Sequence, residues 1–296
     1  MTLEYVDIKF GKRYFKVPKK VTGNDRRSYL VEEQIGSGGN AVVCQCVDER
    51  DGESFAIKFL THWEPKRLKR FAIETELIQK LTASQHGHLI RFVTSGAVMC
   101  FSKVYGTKND KQFELPFFVM ELARTNLREF LKSEKAPVAQ EIYNAQFRGL
   151  VDALEMLHQH AIHRDIKPEN ILIVGDRWAI SDFGLCELVE GEEQADLTRI
   201  GEIPGPRFWL SPEANNLSVG AHEVICSASD IFQLAAVFWW VVTRRHPSGI
   251  LTRDDWTGAD KLYIPVSTAL QHSLTRRYAK ASEFKTAVLL AIDETG

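Results

Sequence analysis

The placement of apolar residues changes character partway along the chain, and the change predicts two kinds of architecture. Residues 29–35, 41–47 and 54–60 are rich in β-branched and aromatic side chains. Glycine or charged turns separate them, Asp51-Gly52 most clearly, so they read as strands. Ahead of them Val6, Ile8 and Phe10 alternate with polar neighbours, Gly11-Lys12 offers a turn, and residues 14–17 run to a stop at Pro18, the outline of a small hairpin. From residue 66 to 81 the period lengthens, and Leu68, Phe71, Ile78 and Leu81 suit one face of a helix. Strands return near residues 90–98 and 117–121, around a polar loop at 106–110. Beyond Glu121 the texture is helical. Residues 126–132 open with Asn126, an N-cap type residue. Residues 139–160 read as a long amphipathic helix with Ile142, Ala145, Leu150, Ala153, Leu154 and Leu157 on its buried side. Residues 231–243 are almost wholly apolar, as a buried central helix requires, and residues 281–292 close the chain as a last helix. A small strand-rich part followed by a larger helical part implies two lobes joined near residues 121–124.

The chain has 296 residues, enough for one large domain or two modest ones, and its 44% apolar and 26% charged composition is that of a globular protein. The net charge of -2 gives no global attraction to nucleic acid or anionic membrane, so no nucleic-acid partner is expected. Residues 1–28 are the exception. Lys9, Lys12, Arg13, Lys16, Lys19, Lys20, Arg26 and Arg27 face only Glu4, Asp7 and Asp25, an excess of five positive charges. A solvated face is favoured there over a partner-binding arm. The longest apolar stretch, residues 234–242, falls far short of the ~20 residues a membrane span needs. The first residues do not form a secretory signal, and five scattered cysteines (Cys44, Cys46, Cys100, Cys186 and Cys226) form neither a disulfide framework nor a zinc pattern. A cytoplasmic location is the expectation.

Four short segments carry chemistry that a packed core does not need. Gly36-Ser37-Gly38-Gly39-Asn40-Ala41-Val42-Val43 lies between two strands. Glycine lets a backbone approach phosphates and offer N–H donors with no Cβ in the way. An ordinary hairpin turn has the same composition, but the strand that follows excludes Rossmann and Walker sites, where a helix follows. In Phe55-Ala56-Ile57-Lys58 a lysine interrupts an apolar strand; if buried it needs a carboxylate, and Glu74 falls toward the same face as Phe71 and Ile78 on the next helix. The third segment is His163-Arg164-Asp165-Ile166-Lys167-Pro168-Glu169-Asn170, and the fourth is Asp182-Phe183-Gly184. Between them, residues 171–174 and 178–180 read as short strands around Gly175-Asp176. A loop, a hairpin and a second loop bring Asp165, Asn170 and Asp182 together, a set of oxygen groups suited to Mg²⁺ and a general base.

With these motifs in this order, the chain resembles the eukaryotic-type protein kinase family, serine/threonine-like, from about residue 29 to its C-terminus. His88-Leu89-Ile90-Arg91-Phe92, Ser211-Pro212-Glu213, Ser229-Asp230 and the segment from Arg277 to Phe284 match further family elements. The resemblance implies an α+β, bilobal protein kinase fold: a small, mostly β N-lobe (29–120) with one regulatory helix, a hinge (121–124), and a larger, mostly helical C-lobe (125–296). Residues 1–28 are then a basic N-terminal extension. ATP and Mg²⁺ are the implied cofactors and a protein the implied substrate, with self-association for trans-autophosphorylation as a further expectation.

By the same resemblance Gly36, Ser37, Gly38, Gly39 and Ala41 cover the ATP phosphates. Val43 and Ala56 lie above adenine and Leu172 below. Met120 is the gatekeeper, and the backbone from Glu121 to Ala123 meets the adenine edge. Lys58, paired with Glu74, holds the α- and β-phosphates. Asp165 receives or orients the acceptor's proton, Lys167 contacts the γ-phosphate, and Asn170 and Asp182 ligate Mg²⁺. Asp230 is expected to hold the 163–165 backbone, Glu213 and Arg277 to form a buried ion pair, and Ile78, His163 and Phe183 to stack in one spine.

The chain also departs from the family pattern. Ala41 replaces a glycine and Asn40 an aromatic, while the Gly-Gly-Asn tip resembles bacterial members. Pro206 stands where serine/threonine kinases have threonine, which keeps tyrosine or dual specificity open. Thr198 is the one hydroxyl between residues 185 and 210 and the candidate phosphosite for Arg164; the competing reading is that Glu187, Glu190, Glu192, Glu193 and Asp196 supply constitutive charge. A nucleotide-binding pseudokinase scaffold is the alternative function. It normally loses one of Lys58, Asp165 or Asp182, and this chain keeps all three.

Overall fold

The computed structural model describes residues 4–11, 13–38, 41–104, 111–189, 208–221 and 223–294. Lys12, Gly39, Asn40, the polar loop expected at 106–110, and Glu190, Glu192, Glu193, Asp196, Thr198 and Pro206 lie outside these. The chain divides into two units, Met1–Gln85 with Ile90–Ala123 and His86–Leu89 with Arg124–Gly296.

The first unit is built on one antiparallel sheet. Among the described residues its strands are β1 (Tyr5–Phe10), β2 (Arg13–Pro18), β3 (Lys20–Thr22), β4 (Ser28–Gly38), β5 (Ala41–Asp48), β6 (Ser54–Leu60), β7 (Phe92–Val104) and β8 (Lys111–Glu121). Their order is β1-β2-β7-β8-β6-β5-β4-β3, with helix α1 (Pro65–Ala83) between β6 and β7 in sequence. Strand alternation sorts the side chains. Cys44, Ile57, Phe59, Phe117 and Val119 point to one face and form a core with Val31, and the N-terminal hairpin adds Ile8, Phe15 and Val17, all fully buried. Trp63 covers one end of this core, stacking on Phe113 with ring centroids 4.1 Å apart. Burial pushes the Cys44 and Cys46 thiols up to about 12 and that of Cys100 up to about 11, so they are apolar filling rather than nucleophiles. Within α1, Phe71, Ile73, Glu74, Leu77, Ile78 and Leu81 are buried, but Leu68 is exposed, because the stripe begins only at Phe71.

The second unit comprises β9 (Thr125–Asn126), α2 (Leu127–Ser133), α3 (Gln140–His158), β10 (Ala161–Ile162), β11 (Ile171–Val174), β12 (Arg177–Ile180), β13 (Glu187–Leu188), α4 (Pro212–Ser218), α5 (Ser227–Thr243), α6 (Asp260–Ala269) and α7 (Ala281–Asp293). Asn126 caps α2 by accepting from the Glu129 N–H. The expected inner side of α3 needs correction. Tyr143, Phe147, Leu150, Leu154 and Leu157 form the buried stripe, and Ile142 and Ala145, a quarter turn or more away, are exposed. α5 is buried nearly all round, and its Phe238 stacks on Phe147 of α3 at 3.7 Å.

The strand expected to start near residue 90 begins at Phe92, because the four residues His86–Leu89 belong to the second unit. There Leu89 bridges to Ile180, the Ile180 N–H donates to the His88 carbonyl (2.9 Å), and His88 Nδ1 lies 2.8 Å from the Trp178 carbonyl. The α+β class expected from the sequence, strands first and helices after with one helix among the strands, is the class the chain has. No helix among the described residues is long and apolar enough to cross a membrane.

Candidate active site

In the first unit, register puts the predicted nucleotide residues on one face. Val43 pairs with Lys58, and Ala56 with Met120. Directly opposed residues project to the same side, so these four share the face opposite the core. Gly36 pairs with Val43, and Gly38 with Ala41. A Cβ built on Gly38 would meet nothing within 4 Å, so packing does not demand glycine there, and open space above the strand is what a phosphate cradle needs. α1 covers part of the same face. Its Phe71 meets Phe118 at 5.3 Å, and Glu74 Oε1 accepts from Lys58 Nζ at 2.6 Å with both side chains largely buried. The lysine that interrupts an apolar strand thus has the carboxylate it needs. Glu121 is buried and held by Arg91; its N–H donates to the Arg91 carbonyl at 3.0 Å, which leaves that group engaged within the chain. Ala123 ends this unit half-buried.

In the second unit, a buried carboxylate organises the loop that follows β10. Asp230, fully buried on α5, accepts from the backbone N–H of His163 (2.7 Å) and of Arg164 (2.8 Å) and lies 2.9 Å from His158 Nε2. Arg164 has φ 70°, a conformation unfavourable to an L-residue, and these bonds hold it there. Gln233, one turn along α5, accepts from Ile166 N–H at 3.1 Å.

The loop so fixed gathers three of the predicted residues. Asp165 Oδ2 accepts from Lys167 Nζ at 2.7 Å and from Asn170 Nδ2 at 2.9 Å, while Oδ1 is buried with no hydrogen-bond partner among the described residues. Burial raises the Asp165 carboxyl above its ordinary value, and the charge of Asp182 adds to this against the opposing pull of Lys167 and His163. Ser181, one residue before Asp182, joins the fourth segment to the third: its N–H and hydroxyl both donate to the Asn170 carbonyl at 2.9 Å. Asp182 itself is exposed with φ 62°, and Phe183 is buried against the His163 ring at 5.5 Å. Asn170 spends its Nδ2 on Asp165, which leaves its amide oxygen, with the Asp182 carboxylate, as a hard-oxygen set of the kind Mg²⁺ takes together with phosphate oxygens. Leu172 is half-buried on β11, between Asn126 and Ala179. Gly39 and Thr198 lie outside the described residues.

Two further pairs support this region. Arg164 Nη1 donates to Glu187 Oε2 at 3.0 Å, across the β10–β13 pairing. Arg277 and Glu213 form a bidentate pair at 3.0 and 2.6 Å, with side chains 0% and 1% exposed. Gln233, Ser181 and His158 were not anticipated. Gln233 alone had a signal, a polar side chain inside an otherwise apolar helix, which is the informative kind of exception.

Known proteins are similar to this chain. The family model described as the protein kinase domain matches residues 29–288. The probable serine/threonine-protein kinase PknB of Bifidobacterium longum is 26% identical over 284 residues, covering 88% of this chain and 39% of that protein. The serine/threonine-protein kinase PknL of Mycobacterium tuberculosis is 31% identical over 190 residues (62% of this chain, 43% of that protein). The liver/testis phosphorylase b kinase gamma catalytic chain of Bos taurus is 29% identical over 199 residues (63% and 43%). The chain therefore spans about two fifths of the length of these relatives. Since the family model runs through both units and takes in every candidate site residue named above, this chain belongs to the protein kinase domain family.

Proposed function

We propose that the chain transfers the γ-phosphoryl group of ATP, with Mg²⁺, to serine or threonine hydroxyls of protein substrates. The observation that carries this reading is Asp165. One carboxylate oxygen is fixed by Lys167 and Asn170, and the other is buried without a partner among the described residues. An unpaired buried acceptor costs stability, and the O–H of an incoming alcohol satisfies it. A carboxyl raised by burial is also a better base at the moment of transfer.

The remaining roles follow by unit. Lys58, oriented by Glu74, offers its ammonium to the α- and β-phosphates, beneath a loop of Gly36, Ser37, Gly38, Gly39 and Ala41. In the first unit Val43, Ala56 and Met120 offer an apolar face to adenine, with Ala123 and Glu121 for its polar edge; in the second unit Leu172 offers an apolar side chain to it. Lys167 keeps Asp165 in place and balances charge on the transferred group. Asn170 and Asp182 hold Mg²⁺, which when bound neutralises the phosphate oxygens.

Serine or threonine acceptance rests on Lys167 and on the printed names of PknB and PknL; Pro206 argues the other way. The domain is proposed as residues 29–296, divided as the resemblance implies, and a cytoplasmic setting belongs to the same reading. The test is steady-state ATP turnover with generic protein acceptors, wild type beside Asp165→Asn, followed by phosphoamino-acid analysis. Asp165→Asn is expected to lower kcat by about 10²–10⁴-fold with ATP binding retained. A wild type that binds ATP but never turns it over supports the pseudokinase scaffold, and phosphotyrosine as the main product would sink the serine/threonine assignment.

A further inference from the structure

The N-terminal hairpin is tied to β4, which carries Gly36 and Gly38, and to the connector between β6 and α1. Along β4 the pairing with β5 breaks register between Val31 and Gln34 and again between Gln34 and Gly36. An interrupted ladder holds a strand less firmly than a regular one. The Gln34 side chain bridges the interruption from the other side. Its Oε1 accepts from the Lys9 N–H at 2.9 Å and its Nε2 donates to the Lys9 carbonyl at 3.1 Å. One amide thus satisfies both backbone groups of a β1 residue, as a neighbouring strand would. Because β3 pairs only with Ser28, Tyr29 and Leu30, this amide extends edge support along β4 toward Gly36.

The hairpin also reaches the connector that joins the strand of Lys58 to the helix of Glu74. Phe10 meets His62 edge-on at 5.1 Å, and Phe15 meets Trp63 at 5.6 Å. With Ile8, Phe15 and Val17 fully buried, the hairpin is a fixed part of this unit rather than a loose arm. The basic residues that follow the hairpin are paired within the unit: Lys19 with Glu4, Lys20 with Glu49, and Arg27 with Asp25 and Asp48.

We propose that hairpin β1–β2 is a positioning element of the nucleotide site and that Gln34 is the residue through which it sets the glycine loop. This rests on the ATP reading above and names what holds that site in place. The experiment uses Gln34→Met, which keeps side-chain length and removes both hydrogen bonds. KM for ATP is expected to rise about fivefold, the scale of two solvent-exposed hydrogen bonds, with kcat and the thermal midpoint near wild type. Gln34→Glu keeps the acceptor for the Lys9 N–H but loses the donor, and is expected to fall between the two. Hydrogen exchange without nucleotide should quicken over residues 5–10 and 28–47 and stay unchanged in the second unit. An unchanged KM overturns the proposal even if exchange quickens. The two failures separate cleanly: a wild type that neither binds nor turns over ATP defeats the nucleotide reading, whereas a wild type that works beside an equally good Gln34→Met defeats this one.

Discussion

Replacing Arg277 with methionine tests how the second unit is held together. Arg277 spends every N–H it has on acceptors within the chain. Two go to Glu213, and others reach the backbone carbonyls of Gln271 (2.6 Å), Ala228 (3.1 Å) and His272 (2.9 Å). Its guanidinium also lies over the Phe232 ring at 5.1 Å. Methionine fills much of the volume but leaves the buried Glu213 carboxylate without its charged partner. Loss of one partner from a buried pair costs about 3–5 kcal/mol. Against a total stability of about 5–15 kcal/mol that is a large fraction.

Urea unfolding followed by tryptophan fluorescence should show the midpoint fall by more than about 1 M. The pH dependence gives a second check. In the wild type, burial would raise the Glu213 carboxyl, but hydrogen bonds from Arg277 and Ser229 bring it below its ordinary 4.5. Its contribution is therefore present above pH 4.5 and lost as pH falls through the lowered folded value. In Arg277→Met burial, the largest influence, is opposed mainly by the Ser229 hydrogen bond, so the folded value should rise above the unfolded one and stability be lost as pH rises through it. The gap between the two proteins should be widest near neutrality and narrow in acid. A double variant, Glu213→Leu with Arg277→Met, should recover much of the loss. A single variant that costs less than about 1 kcal/mol, the scale of an exposed pair, would refute this account.

Three more outcomes are expected. Asp165 must be ionised to act as a base and its carboxyl lies above 3.8, so kcat/KM should fall as pH drops through that raised value, and Lys167→Met should move the acid limb to higher pH; a profile unmoved by Lys167→Met counts against the pairing. Because Glu187 already engages Arg164, Thr198→Ala should leave activity nearly unchanged, whereas Glu187→Lys should weaken this loop by about 1 kcal/mol and lower kcat; a dead Thr198→Ala would reverse the assignment. At Gly149 a Cβ would sit 2.1 Å from His88 Nε2, so Gly149→Ala should cost about 1–3 kcal/mol in overpacking despite alanine's better helix propensity, and a raised Tm would contradict it.

The candidate site is legible in the sequence because Lys58, Asp165, Asn170 and Asp182 sit in short segments whose order and spacing are distinctive. Glu74 could be placed because a carboxylate three residues from Phe71 must face the same way. Helix faces were less secure. Ile142 and Leu68 are apolar and at plausible spacing, yet Ile142 lies to the side of its buried stripe and Leu68 before the start of its own. Supports that reach a distant backbone left no pattern: Gln34 to Lys9 and Ser181 to Asn170 depend on which segments meet. Asp230 was placed only through the family resemblance, since an aspartate near the start of a helix reads equally well as a cap.

The detour of His86–Leu89 has a consequence for how the polypeptide is made. His88 leaves the ribosome ninety positions before Trp178, whose carbonyl it meets, so this contact of the joint between α1 and β7 waits until β12 has been synthesised. A fragment starting at residue 124 would expose an empty notch beside Gly149 and an Ile180 amide lacking its acceptor. The helical half is thus a folded region whose completion requires a stretch translated with the other half, and cutting the gene between the two would sever that dependence.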